Sequence, residues 1–135
     1  MSKVFIDTNI FAYASDKNNP QKQTVAQDLL ANIHNGVIST QVMQEFYSVA
    51  TRKLSIDPLR ARQIVKTFER FEIIPITYTL VYEAINLHIL EQIQFWDALI
   101  IAAASSANCS QVLTEDLNEG QIIVGVQIVS PFMQH

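Results

Sequence analysis

Four carboxylates of this chain sit where they could act together. Asp7 ends the apolar run 4–6 and is followed by Thr8 and Asn9. Glu45 falls about one turn past the short apolar run 36–40, at the flank of a helical stripe. Asp97 opens the apolar run 98–104, and Asp116 follows the run 111–114. Each has an ordinary explanation. Asp is a favoured helix N-cap, a Glu on an amphipathic helix commonly faces water, and a helix dipole favours an acid in its first turn. Their recurrence at or just past the ends of elements calls for more. Carboxylates sharing one cleft repel each other and stay partly protonated unless a cation compensates. Oxygen donors without His or Cys at ligand spacing favour Mg²⁺ or Mn²⁺. Such an ion can lower the pKa of a bound water and hold a phosphate for in-line attack.

The elements needed to bring these acids together are legible in the apolar spacing. Residues 4–6 suit a buried strand, and Ile10, Phe11, Tyr13 and Ala14 continue at helical spacing. From Gln21, Val25, Ala26, Leu29, Leu30 and Ile33 predict a helix with His34 in its last turn and Asn35-Gly36 as its stop. Residues 36–40 read as a second strand, with Ser39 or Thr40 capping a helix to about 54 whose stripe is Val42, Phe46, Val49 and Ala50. Pro58 breaks the chain. Residues 59–71 predict a helix buried along Ile64, Val65, Phe68 and Phe71, and 72–77 a third strand, placed at a sheet edge by Pro75. A helix over 80–90 follows. The helix after Asp97 is apolar on nearly every face and should be central. Asn108 suits a left-handed cap. Strand four is 111–114, and 126–129 is the expected fifth. In an alternating pattern of this kind the sheet is parallel and covered on both faces. Ligands bind such sheets beyond the carboxyl ends of the strands.

At 135 residues the expected organisation is one domain over 1–135. Cys109 is the only cysteine, so no disulfide can form within the chain; it reads as a small buried hydrophobe rather than a nucleophile. Neither a leader nor an apolar run near the ~20 residues of a membrane span is visible, which predicts a cytoplasmic protein with no membrane partner. The net charge of −4 is uneven: residues 1–70 hold nine Lys/Arg against six acids, while 71–135 hold seven acids and no Lys or Arg. The basic residues thicken at Arg52, Lys53, Arg60, Arg62, Lys66 and Arg70. That cluster could grip a polyanion or an acidic partner, or be a solvated helix face. The acidic half argues against broad coating of nucleic acid.

The segments Asp7-Thr8-Asn9, Gln44-Glu45-Phe46, Phe95-Trp96-Asp97-Ala98-Leu99-Ile100 and Leu113-Thr114-Glu115-Asp116-Leu117-Asn118 resemble, in order and separation, those of the PIN-domain nucleases, and within them the VapC-type toxins of bacterial type II toxin–antitoxin pairs. The resemblance covers essentially the whole chain. It implies a three-layer α/β/α sandwich with a mostly parallel five-stranded sheet in the order 3-2-1-4-5. It implies an endoribonuclease dependent on Mg²⁺ or Mn²⁺ that cuts single-stranded or looped RNA. Asp7 and Asp97 would hold the principal metal, and Glu45 would bind it through water or orient the attacking water. Asp116 would be outermost or serve a second metal, with Asn9 and Thr114 supporting these acids by hydrogen bonds. The resemblance further implies a homodimer and an antitoxin partner. An aspartyl-phosphate enzyme would need a late Lys to neutralise the phosphoryl group, and no Lys or Arg follows Arg70. A non-catalytic RNA- or protein-binding module of the same fold is the remaining alternative.

Overall fold

The computed structural model describes residues 2–133. The chain runs β1 (Lys3–Ile6), α1 (Thr8–Ala14), α2 (Pro20–Asn32), β2 (Gly36–Ser39), α3 (Thr40–Arg52), α4 (Pro58–Lys66), a 3₁₀ turn (Thr67–Arg70), β3 (Glu72–Ile74), α5 (Tyr78–Glu91), α6 (Phe95–Ser106), β4 (Cys109–Leu113), β5 (Ile122–Ile123) and β6 (Val126–Val129). One sheet contains all six strands in the order β3-β2-β1-β4-β6-β5. Every pair is parallel except β5 with β6. The expected order is therefore present, with β6 as the anticipated fifth strand. The sixth is a two-residue strand too short to announce itself. It joins β6 through Val124 and Gly125, both at positive φ (45° and 82°), as a tight hairpin turn requires.

The order of the strands explains the core. β1 is central and feeds α1 across the sheet, and parallel pairing forces each crossover through a helix. β2 is buried at every position, as a strand covered on both faces must be. Helices α1 to α4 pack on one another, and α5 packs on α6. In α6 every residue from Ala98 to Ala104 is buried, which is why its sequence lacks a polar face. Among α1, α3 and the segment after α4, Phe11, Phe46, Phe68 and Phe71 form a ring cluster with centroids 4.4 to 5.7 Å apart. β3 lies at the sheet edge as expected, although it ends just before Pro75 rather than containing it.

Two local expectations are corrected. α2 stops at Asn32, so His34 lies beyond its last turn and Asn35-Gly36 does not end that helix, while Gly36 opens β2 as expected of the run 36–40. Gly36 is needed for space: a Cβ there would stand 2.7 Å from the Phe71 ring and 3.0 Å from Ile6. The helix expected over 59–71 is α4 plus the 3₁₀ turn, which rotates Phe68 into the core. Among the described residues no helix is long and apolar enough to cross a membrane.

Candidate active site

The sheet's carboxyl edge opens into a cleft of about 570 Å³ whose walls include Asp7, Glu45, Asp97 and Asp116. Asp7 arrives there because its N–H still pairs with Leu113 O of β4 (3.0 Å) while its side chain caps α1. Asp7 Oδ1 accepts from the Thr8 N–H at 2.7 Å, and Oδ2 accepts from the Thr114 hydroxyl at 2.9 Å. Thr114 is fully buried. Its Oγ1 also accepts from Asn9 Nδ2 (3.0 Å) and from the Asp116 N–H (3.1 Å). Asn9 Nδ2 reaches Asp116 Oδ2 at 3.1 Å, and Asn9 Oδ1 accepts from the Glu115 N–H at 3.4 Å. The loop after β4 is thus tied to the β1–α1 turn by side chains more than 100 residues apart. Glu45, on α3, accepts from the Thr8 hydroxyl at 3.0 Å. Asp97 occupies the first turn of α6.

Burial dominates the electrostatics. Asp7 is 4% exposed, and burial raises its pKa to about 7 against the lowering by Thr8 and Thr114, with the charges of Asp116 and Glu45 raising it further. Glu45 is raised by burial and by the charges of Asp97 and Asp116, opposed by Thr8 and Gln41. Asp97 is raised by burial and by Asp116. Among the described residues no Lys, Arg or His offsets any of these three acids. A family model described as the PIN domain matches residues 4–119.

The chain belongs to the PIN domain family.

Among curated proteins no significant match to the chain was found. Solved structures share its fold. It is similar to a chain of a toxin–antitoxin complex from Klebsiella pneumoniae at 24% identity and TM-score 0.68, covering 97% of this chain and 98% of that one. It is similar to VapC20 of Mycobacterium tuberculosis, a sarcin–ricin-loop-cleaving toxin, at 17% identity and TM-score 0.70, covering 82% and 87%. A DNA-bound VapBC structure from Salmonella typhimurium aligns at 23% identity and TM-score 0.69, covering 97% and 99%.

In this PIN domain the six residues singled out from sequence all lie in or against one cleft. Several neighbours were not anticipated. Thr8 bridges towards Glu45; Gln41, one turn before Glu45 on α3, bonds Trp96 O at 3.2 Å, and its helical spacing from Glu45 was the available signal. Lys53 lines the cleft, whereas Lys66 pairs with Glu69 (2.6 Å) and Arg70 lies over the Phe71 ring (4.4 Å). The basic cluster therefore serves several surroundings. Among the described residues no three Asp, Glu, His or Cys side chains already stand close enough to hold a metal. The chemistry of Asp7, Glu45 and Asp97 nevertheless fits a hard divalent cation: carboxylates raised towards the neutral form, with no cationic partner among the described residues, are the groups such an ion stabilises. Cys109, buried, has its thiol pushed up to about 11 by burial, so it is poorly suited to be a nucleophile or ligand.

Proposed function

We propose that residues 1–135 form a single PIN domain acting as a metal-dependent endoribonuclease, the toxin of a type II toxin–antitoxin pair of the VapC kind. The observation that carries this reading is a cleft in which Asp7, Glu45 and Asp97 are offset by no cation among the described residues. Its walls gather Asp7, Glu45, Asp97 and Asp116, and the first three are held above their ordinary carboxylate range mainly by burial. Mg²⁺ or Mn²⁺, when bound, would supply Lewis-acid chemistry: a more acidic water and a polarised phosphodiester. Asp7 and Asp97 would hold that ion. Glu45 would orient the attacking water and take up its proton, to which its raised pKa is suited. Asp116, the exposed acid of the four, would be the outermost ligand or serve a second ion. Asn9 and Thr114 hold Asp7 and Asp116 in place through the hydrogen bonds described above. Water is the nucleophile, and no side chain forms a covalent intermediate.

An antitoxin chain and a second copy of this chain are the expected protein partners, and the cytoplasm the expected compartment. The toxin–antitoxin assemblies among the similar structures support the first. The outward ridge of α5, with Tyr78, Tyr82 and Ile89 all more than half exposed, supports a covered surface.

The second reading, a non-catalytic RNA- or protein-binding module, draws on the absence among the described residues of a preformed cluster of three ligands. One experiment separates the two. Wild type and Asp7→Asn are incubated with a structured RNA in Mg²⁺, in Mn²⁺ and in EDTA. Cleavage by wild type alone, abolished by EDTA, is expected. Equal cleavage by both proteins would refute the site; no cleavage by either, with no calorimetric metal binding, would leave the module.

A further inference from the structure

Trp96 is the chain's only tryptophan, and it is 57% exposed, although a ring of that size usually hides most of its surface. It is fixed immediately before Asp97 by the start of α6, and the Phe95 ring braces it at 5.1 Å and 73°. Trp96 borders two cavities. One is the acidic cleft. The other is an adjoining recess of about 330 Å³, lined by Trp96 with Gln41, Gln44, Glu45 and Ser48. Its walls are mostly apolar surface, with the amides of Gln41 and Gln44, the Ser48 hydroxyl and the Glu45 carboxylate set around it, a mixture that suits a flat ring with a polar edge. Gln41 borders both cavities and is only 5% exposed. Its Nε2 donates to Trp96 O at 3.2 Å, so its amide cannot be reversed without opposing two oxygens. Its Oε1 is buried with no partner among the described residues. A buried acceptor left unpaired in a native protein calls for an explanation.

We infer that Trp96 and this recess form a subsite for one unpaired nucleobase, on a strand whose phosphate lies in the acidic cleft; the inference rests on the ribonuclease reading above. The Trp96 ring offers a stacking surface, and Gln41, Gln44 and Ser48 offer donors and acceptors for the base edge. A base can meet both only when it has left its own stack, as in single strands and loops. The nuclease then selects unpaired RNA through a ring one residue from a metal-binding acid, rather than through its basic cluster.

Because Trp96 is the only tryptophan, its fluorescence reports the contact without cleavage. Wild type in Ca²⁺, which offsets the carboxylates, is titrated with a short single-stranded RNA, with the same strand in duplex, and with an abasic ribose-phosphate strand of equal length. Saturable quenching by the first alone is expected. Trp96→Leu should weaken binding of the single strand roughly 5- to 150-fold, from the stacking contribution of one base, and Trp96→Phe should recover most of it. Equal quenching by the abasic strand, or binding of the single strand seen by anisotropy without quenching, overturns the subsite; so does failure of the single strand to bind. Cleavage in Mg²⁺ is followed separately. Cleavage without quenching removes the subsite and leaves the nuclease; base-dependent quenching without cleavage removes the nuclease and leaves a base-binding site.

Discussion

Two acids on the walls of the same cleft are treated in opposite ways. Glu115 has its charge answered inside the protein: Lys22 Nζ lies 2.8 Å from Oε2, and the Tyr13 hydroxyl donates to Oε1. Burial pushes Glu115 up, but Lys22 and Tyr13 outweigh it, and its carboxyl ends below the usual range. Lys22 also lies over the Tyr13 ring at 4.6 Å, and Tyr13 meets Phe132 edge-on at 5.0 Å. Asp7 is far more buried and receives only hydroxyl and amide donors, and its carboxyl rises to about 7. The fold can place a lysine beside an acid at this rim, yet among the described residues none stands beside Asp7. The difference locates a deficit of positive charge at Asp7, Glu45 and Asp97, where an external cation would be used, and removes Glu115 from that set.

The largest expected consequence is catalytic. Asp7→Asn keeps size and most hydrogen bonding while removing one ligand charge, and metal ions contribute several kcal/mol of transition-state stabilisation. Cleavage in saturating Mg²⁺ should therefore fall roughly 10³-fold. Glu115→Gln should leave it within about tenfold, since that charge is already matched. Single-turnover rates on one RNA check both, and equal losses would break the contrast.

Stability without metal should divide the two acids next. Asp7 has a folded pKa of about 7, above an unfolded value of about 3.9. The folded state then holds the proton more tightly than the unfolded one, so the stabilisation is complete below about pH 4 and is lost as pH rises through 7. Three pKa units correspond to about 4 kcal/mol as an upper bound. In EDTA, wild type should lose stability between pH 4 and pH 8; Asp7→Asn should be the more stable protein at pH 8 and show no gain at pH 4. Urea unfolding at the two pH values measures this. An Asp7→Asn protein less stable than wild type at pH 8 would mean that Asp7 is already compensated without metal.

Asp7, Asp97 and Asp116 were legible because each sits at an end of an apolar run, whereas Glu45, inside α3, was legible by its place about one turn past the second strand. The sheet was legible because apolar runs of strand length alternate with helical spacing along the chain. What escaped the sequence depends on pairings across the chain. Glu115 and Asp116 are adjacent and look alike; only the fold brings Lys22, 93 residues away, to one of them. Gly36 resembled a helix stop because Asn-Gly commonly is one, whereas its requirement comes from the Phe71 ring. Trp96 lay inside a recognisable segment, but alternation and helical spacing carry no information on which of two adjacent rings, Phe95 or Trp96, is left open.

A middle-sized effect tests the scaffolding of the unpaired acid. Thr114→Val removes the hydroxyl shared by Asp7, Asn9 and the Asp116 N–H while preserving shape. Outer partners of metal ligands commonly change affinity or activity 10–100-fold. Calorimetric Mn²⁺ affinity at pH 8 should weaken by about that factor. Unchanged affinity together with reduced stability would restrict Thr114 to a structural part.

The smallest effect belongs to the matched acid. Lys22 and Glu115 are 40% and 25% exposed at their side chains, so water screens the pair, and pairs of this kind contribute about 0–1 kcal/mol. Lys22→Met keeps the aliphatic stem over Tyr13 and deletes the charge. It should lower Tm by no more than about 4 °C. Adding Glu115→Gln should restore part of the loss, because the uncompensated carboxylate is then gone. The informative readout is metal affinity. With Lys22 removed, Glu115 becomes another unmatched acid on the cleft wall, and Mn²⁺ should bind slightly tighter, not weaker. If Lys22→Met instead abolished metal binding, Lys22 would be organising the cleft itself, and the separation between the matched and the unmatched acid would fail.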